Sequence, residues 1–293
     1  MNTIDPTIIW SLDRKYAEDG IPFHARPMRA VMEVLRSNFS VGYGQSQNLI
    51  SNNIQEAYRQ LIPEVDTTWP GVGTGIVASV DQVRKITVAV IFGKGSISSY
   101  EALDFKTQKD WWFWCRADKK IAADSQYAFA DIYDFAYGLQ ALEEKSSPTA
   151  IELWKQAASN IDVIADSLAN CYRTNSILQP ICMAAELSMK GALLELGVPM
   201  NDLKKNFGHK FSALAEELSR ICPHLEDKCF TDAAKLLPDY VQTRYEDGNF
   251  NRLQLVKLAL SAQFIAASAL RRLSGVDQTV DMSNSDWPGP RQM

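Results

Sequence analysis

The chain of 293 residues contains three histidines, and two of them stand close behind a cation. Lys204 precedes His209 with residues 205 to 208 between them, and Arg220 precedes His224 with residues 221 to 223 between them. An imidazole titrates near neutral pH, so it can move the proton of a ribose 2′-hydroxyl while a fixed cation stabilises charge developing on the phosphate. Lys204, His209, Arg220 and His224 are therefore the candidate catalytic residues. Lys205 and Lys210 thicken the basic cluster around His209, Arg244 and Arg252 could join it in the fold, and Arg244 and Tyr245 could line a ligand groove. Lys205, Lys210, Arg244 and Tyr245 are the candidate ligand-binding residues, for a small nucleotide or an RNA end. Plainer roles stand beside these. His209 can begin a helix next to Gly208, His224 can sit in a surface turn after Pro223, and Arg244 and Tyr245 can be fold residues. The lysines can be a solvated helix entrance, although the dipole at a helix N-terminus disfavours cations.

The elements that must position these residues are helices. Ile151, Trp154, Ala158, Ile161, Ala165 and Leu168 recur at steps of three and four, the spacing of one helical face, after Ser147 as N-cap and Pro148 as first residue. Ile181, Ala185, Met189, Ala192 and Leu196 form a second stripe, with Glu186 and Lys190 placed for an i,i+4 ion pair, and Gly197 and Pro199 stop it. A third helix should start near His209 and bury Phe211, Leu214, Leu218, Ile221 and Leu225, with Pro223 dividing its last turn from the next segment. A fourth carries Phe230, Ala233, Ala234 and Leu237. The longest holds Leu253, Val256, Leu260, Phe264 and Ala267, with Arg271 and Arg272 in a last turn where cations suit the dipole. Short connections favour antiparallel neighbours and hence a bundle.

This order of helices, with Asn206-Phe207-Gly208-His209-Lys210 and Thr243-Arg244-Tyr245-Glu246-Asp247-Gly248 between them, resembles a HEPN domain. The resemblance covers residues 148 to 273. In that family a Gly-His pair precedes a leucine-spaced helix and a segment like Arg-Tyr-Pro-Asp precedes the last helix; Glu246 stands here where proline is frequent. The resemblance implies a homodimer formed through the bundle and work in a nucleotide, RNA or defence (toxin-antitoxin) context. Many of its members are metal-independent ribonucleases with an Arg, four to six residues, then a His. Here Lys204 to His209 has that spacing with Lys for Arg, losing the bidentate fork, and Arg220 to His224 is one residue too short.

Composition bounds the partners. A net charge of -5 and a pI near 5.3 argue against a broad phosphate-binding surface, so no DNA footprint is expected. Cys115, Cys171, Cys182, Cys222 and Cys229 are an odd set in apolar stretches and read as free thiols of a reducing compartment. Cys222, His224 and Cys229 match no standard metal spacing, so no metal and no cofactor is expected. Charged residues interrupt the first twenty positions, which argues against a signal peptide, and no membrane span is expected; the location expected is cytoplasmic.

Residues 1 to 145 read as a mixed α/β domain. Helices are expected over Pro6 to Glu18, over Pro27 to Asn38 and where Ile50, Ile54, Ala57 and Leu61 keep helical spacing. Strands are expected over Thr74 to Val80, over Ile86 to Phe92 and at Trp111 to Trp114, and a helix follows Asp124. Gly71, Gly73 and Gly75 suit a turn leading into the first strand better than a dinucleotide fingerprint, because no strand precedes them. Phe92-Gly93-Lys94-Gly95-Ser96 resembles the Gly-Ser turn of small nucleotidyltransferases, but Asp104-Phe105-Lys106 offers one carboxylate where two would hold magnesium. The stretch from Glu143 to Pro148 is a candidate domain boundary, and 274 to 293 a polar, flexible tail.

The expected fold is thus α+β, mainly α, with a C-terminal antiparallel helical bundle behind a mixed region that carries a small sheet. The expected function is a nucleotide- or RNA-binding or protein-interaction module. The alternatives are a divergent metal-independent ribonuclease and a non-catalytic scaffold.

Overall fold

Asp5 and Pro6 start the first helix together, the Asp5 carboxylate accepting the Thr7 amide at 2.9 Å and Pro6 taking the first helical position. In the computed structural model the described residues are 5–35, 49–64, 71–90, 98–170, 175–239 and 250–292. The chain divides into two units, Met1–Pro70 and Gly71–Met293.

The first unit holds α1 (Pro6–Glu18), α2 (Arg26–Leu35) and α3 (Leu49–Leu61). Ile9, Tyr16, Ala30, Val31, Ile54 and Tyr58 form its core. Tyr16 donates to Glu33 at 2.9 Å and the Arg26 guanidinium meets Asp13 at 3.2 Å.

The second unit begins with a hairpin of β1 (Gly73–Ser79) and β2 (Gln82–Val88), antiparallel, with Ile76 opposite Lys85 and Gly73 opposite Val88. Val80 turns the chain at φ 62, so β2 starts at Gln82 rather than at Ile86 as the apolar run suggested. The expected Gly-Ser turn at 93 to 96 lies outside the described residues. Of the three spaced glycines, only Gly71 (φ 78) serves the turn. Gly73 and Gly75 lie inside β1, where a Cβ would stand 2.5 Å from Ala136 and 2.5 Å from Ile132, so they let the strand press onto a helix.

Next come α4 (Ser99–Ala102), α5 (Gln108–Trp114) and α6 (Lys119–Leu142). The tryptophan cluster is α5, not a strand: Thr107 Oγ1 accepts the Asp110 amide at 3.1 Å, a helix cap that overrides the aromatic preference for sheet. The bundle then continues with α7 (Pro148–Ala169), α8 (Leu178–Glu195), the short α9 (Met200–Asp202), a π turn over Leu203–Phe207, α10 (Phe211–Ile221), α11 (Asp227–Leu236), α12 (Arg252–Ser274) and α13 (Thr279–Asn284). Ala165, Leu168, Ile181, Ala185, Met189, Leu214, Leu218, Phe230 and Val256 of the sequence stripes are all in the main core, whereas Leu225 is exposed. The Trp154 indole packs closely against Gly191, where a Cβ would stand 2.4 Å from its Nε1, and donates to Ser188 O at 3.2 Å, which locks α7 to α8.

Three features depart from expectation. α6 packs on α12, and Gln263 of α12 bonds to Ile76 of β1 and Ala128 of α6, so residues 71 to 145 belong to the bundle and the division falls at Pro70 rather than at 143 to 148. Secondly, α12 is long and apolar enough to cross a membrane, yet it is the bundle's central helix, buried along Ser261–Arg271.

The third departure is the tail, which is docked rather than free. Arg271, read as a dipole-facing cation, is fully buried; its Nη2 donates to Asp131 at 2.6 Å, Nη1 to Glu226 at 2.9 Å and Nε to Asp134 at 2.6 Å. Arg291 from the tail meets the same Asp131 at 2.6 Å and the same Glu226 at 2.8 Å. Two guanidinium groups and two carboxylates thereby close a ring that ties α6, α11, α12 and the chain's end. Tyr127 donates to Gly289 O, and Trp287 lies against Trp111 with ring centroids 6.1 Å apart.

Candidate functional site

Helix α8 carries the anchor of the site. Glu186 and Lys190, one turn apart, form the ion pair that their spacing allowed, at 2.6 Å, but both are buried rather than on a solvated face. Removing two charges from water is costly unless the remaining lone pairs are satisfied. The second oxygen of Glu186 is satisfied by His209, whose Nδ1 lies 2.8 Å away. A carboxylate only accepts, so Nδ1 carries the proton in this bond, and acid–base chemistry by the ring falls to Nε2.

The backbone places His209 for this contact. The π turn over Leu203–Phe207 ends at Gly208, whose φ of 54 and ψ of -116 suit a residue without Cβ. Lys210 follows as the N-cap position of α10, with no side-chain cap. His209 keeps 46% of its side chain exposed while Glu186 keeps 4%, so the ring spans from a buried charge to the surface. It lines a cavity of about 490 Å³ with Lys205, Asn206, Lys210, Leu237 and Asp239. Two lysines, an amide and an oriented imidazole in one concavity can bind a phosphate and exchange a proton beside it. Cys182, one turn before Glu186, is not a nucleophile here, since burial, with the charges of Glu186 and Asp239, pushes its thiol up to about 12.

The other expected residues separate. Lys204, the cation expected beside His209, is exposed and not among the residues lining the cavity; Lys205 and Lys210 are. A π turn projects consecutive residues in different directions, which spacing alone does not reveal. Arg220 spends its guanidinium on Glu217, with two bonds of 2.8 Å. His224 is held inside the fold: its Nε2 lies 2.9 Å from Asp277, and its Nδ1 accepts the Glu226 amide at 3.3 Å. Both ring nitrogens are thus committed, and Arg220 and His224 serve different partners. Cys222 and Cys229 each donate to a main-chain carbonyl, of Arg272 and Arg291 respectively, and among the described residues no group of His, Cys, Asp and Glu could hold a metal. Arg244 and Tyr245 lie outside the described residues.

The residue that spacing did not nominate is Glu186. The signal was present, since a glutamate paired with a lysine inside an apolar stripe is a charge that burial would strand without a further partner. Comparison with family models, with characterised proteins and with solved structures finds no match for this chain.

Proposed function

We propose that this protein binds a phosphate-bearing ligand, a nucleotide or an RNA end, in the cavity lined by Lys205, His209 and Lys210. The observation that carries the reading is the 2.8 Å bond between Glu186 and His209, which fixes an imidazole beside two lysines at a surface concavity. A buried carboxylate behind an exposed histidine sets its tautomer and the orientation of its ring. By the HEPN-like order of its helices the protein works as a cytoplasmic homodimer, paired through the bundle, in an RNA or defence setting.

The same bond favours a second reading, a metal-independent ribonuclease. His209 Nε2 takes the proton of a ribose 2′-hydroxyl as that oxygen bonds to the neighbouring phosphorus, and the P–O5′ bond breaks. The products are a 2′,3′-cyclic phosphate and a 5′-hydroxyl, the latter taking its proton from the imidazolium.

Labelled single-stranded RNA incubated with the protein in EDTA, and thermal melting with added nucleotide, test both. Binding that weakens in Lys205→Ala and Lys210→Ala and falls with salt supports the first reading. Cleavage lost in His209→Ala and kept in His224→Ala establishes the second. RNA and nucleotide that neither bind nor react leave the scaffold reading in their place.

A further inference from the structure

The two edges of the hairpin are treated differently. On β1, Ile76 turns its N–H and C=O away from β2, and the Gln263 amide takes both, at 2.8 and 3.1 Å. Directly opposed residues of an antiparallel pair share this orientation, so Lys85, the partner of Ile76, turns its own N–H and C=O outward as well. The period of two carries the same orientation to Thr87. Val88, between the outward positions, faces inward, its carbonyl accepting the Val72 amide at 2.8 Å. Among the described residues no hydrogen bond reaches the main chain of Lys85 or Thr87 from the outer side, and both residues are exposed.

This open edge runs along a cavity of about 910 Å³, walled by Leu103, Phe129, Tyr133 and Trp287. The volume lies at the upper end of ordinary ligand sites. In the wall, Gln126 donates to Ser99 and leaves its Oε1 buried with no partner among the described residues, an acceptor waiting for a donor. Glu101, Asp104 and Asp281 also line the cavity, against one lysine, Lys85; Asp166 engages Lys85 at 2.6 Å and Arg84 lies 3.6 Å from Asp104, so that among the described residues Glu101 and Asp281 have no cationic partner. The lining is therefore negative and repels phosphate, unlike the His209 site.

A row of open backbone donors and acceptors fits an extended main chain, and the acidic lining fits cationic side chains. The geometry points to a docking site for an extended peptide bearing Lys or Arg, added to β2 as a third strand and packed on the aromatic wall. Its side chains alternate, one set toward the carboxylates and the other toward Phe129 and Trp287.

The test titrates the full chain with fluorescein-labelled acetyl-Lys-Val-Lys-Val-Lys-amide and with the same peptide N-methylated at alternate residues, which blocks one backbone edge. Saturable binding of the first, weakened about tenfold or more by N-methylation, is expected, because two or three backbone hydrogen bonds are lost. Thr87→Pro, which deletes one outward N–H at an edge that tolerates proline, should weaken binding likewise. Glu101→Gln with Asp281→Asn should weaken it several-fold. Bound peptide should protect the Lys85 and Thr87 amides from hydrogen exchange. No saturable binding, or equal binding of the N-methylated peptide, overturns the strand-addition site. The N-methyl comparison on the unaltered protein decides the matter even where Thr87→Pro fails to fold.

Discussion

Arg291 reaches Asp131 at 2.6 Å, and this contact between the chain's end and the middle of α6 closes the buried ring with Arg271 and Glu226. Without Arg291, a single guanidinium would face Asp131, Asp134 and Glu226, all nearly inaccessible. Breaking a buried pair from one side leaves an uncompensated charge, worth about 3 to 5 kcal/mol. Arg291→Ala should lose that much in urea denaturation, and Arg291→Lys, which cannot serve Asp131 and Glu226 with one planar fork, most of it. A loss below about 1 kcal/mol would show that the ring does not hold the tail.

Two further carboxylates beside Arg271, Asp134 and Asp277, set a pH dependence. Among the described residues Asp134 has the Arg271 Nε and the Gln278 amide for partners, and burial pushes its carboxyl up to about 7 against their pull. A raised folded-state value means that the native protein holds this proton more tightly than the unfolded chain. The stability it contributes is fully present below about pH 4 and is lost as pH rises toward 7, on the order of 1 kcal/mol per unit. Asp277 acts in the opposite sense. Burial raises its carboxyl, but bonds from His224 and Thr279 and the charge of Arg271 outweigh that and hold it below the usual range, so its contribution is lost only in acid. Urea melts of the protein and of Asp134→Asn between pH 4 and 8 check this: the falling slope should vanish in the variant.

The two histidines of the bundle should hold opposite tautomers when neutral. His209 carries its proton on Nδ1, toward Glu186, whereas His224 accepts at Nδ1 from Glu226 and carries its proton on Nε2, toward Asp277. Nitrogen chemical shifts of the imidazole rings distinguish these directly. A His224 ring protonated at Nδ1 would contradict the geometry.

Gly191→Ala tests the α7 to α8 contact. Alanine normally favours a helix by about 1 kcal/mol over glycine, but here its Cβ would lie 2.4 Å from the Trp154 Nε1 and 2.8 Å from the next ring atom. The indole is fixed by Ser188 and cannot swing aside, so overpacking wins and the expected net loss is about 1 to 2 kcal/mol in thermal or urea melting. Stabilisation instead would mean that the ring moves freely.

Helix faces were legible in the sequence because periodicity is local. Trp154, Ile161 and Leu168 recur every seven residues, and any solvent that rejects apolar surface turns that face inward. The pair of Glu186 and Lys190 was legible for the same reason, being one turn apart. Strand placement was not: Ala89 and Val90 of the apolar run that begins at Ile86 are exposed and follow the end of β2, while its start at Gln82 depends on the turn at Val80 and on the partner strand. Cap chemistry at Thr107 likewise outweighed the aromatic content of α5.

By itself the sequence determined the apolar faces of α7, α8, α10, α11 and α12, and that His209 stands in a basic surrounding. Only the tertiary structure decided that Glu186 backs His209, that Lys205 and Lys210 rather than Lys204 share its cavity, and that Arg291 returns to Asp131. The physical reason is range. Hydrophobic spacing is written between neighbours, whereas a buried charge selects its partner among groups far along the chain, and a polar tail looks solvated until the carboxylates awaiting it are in place.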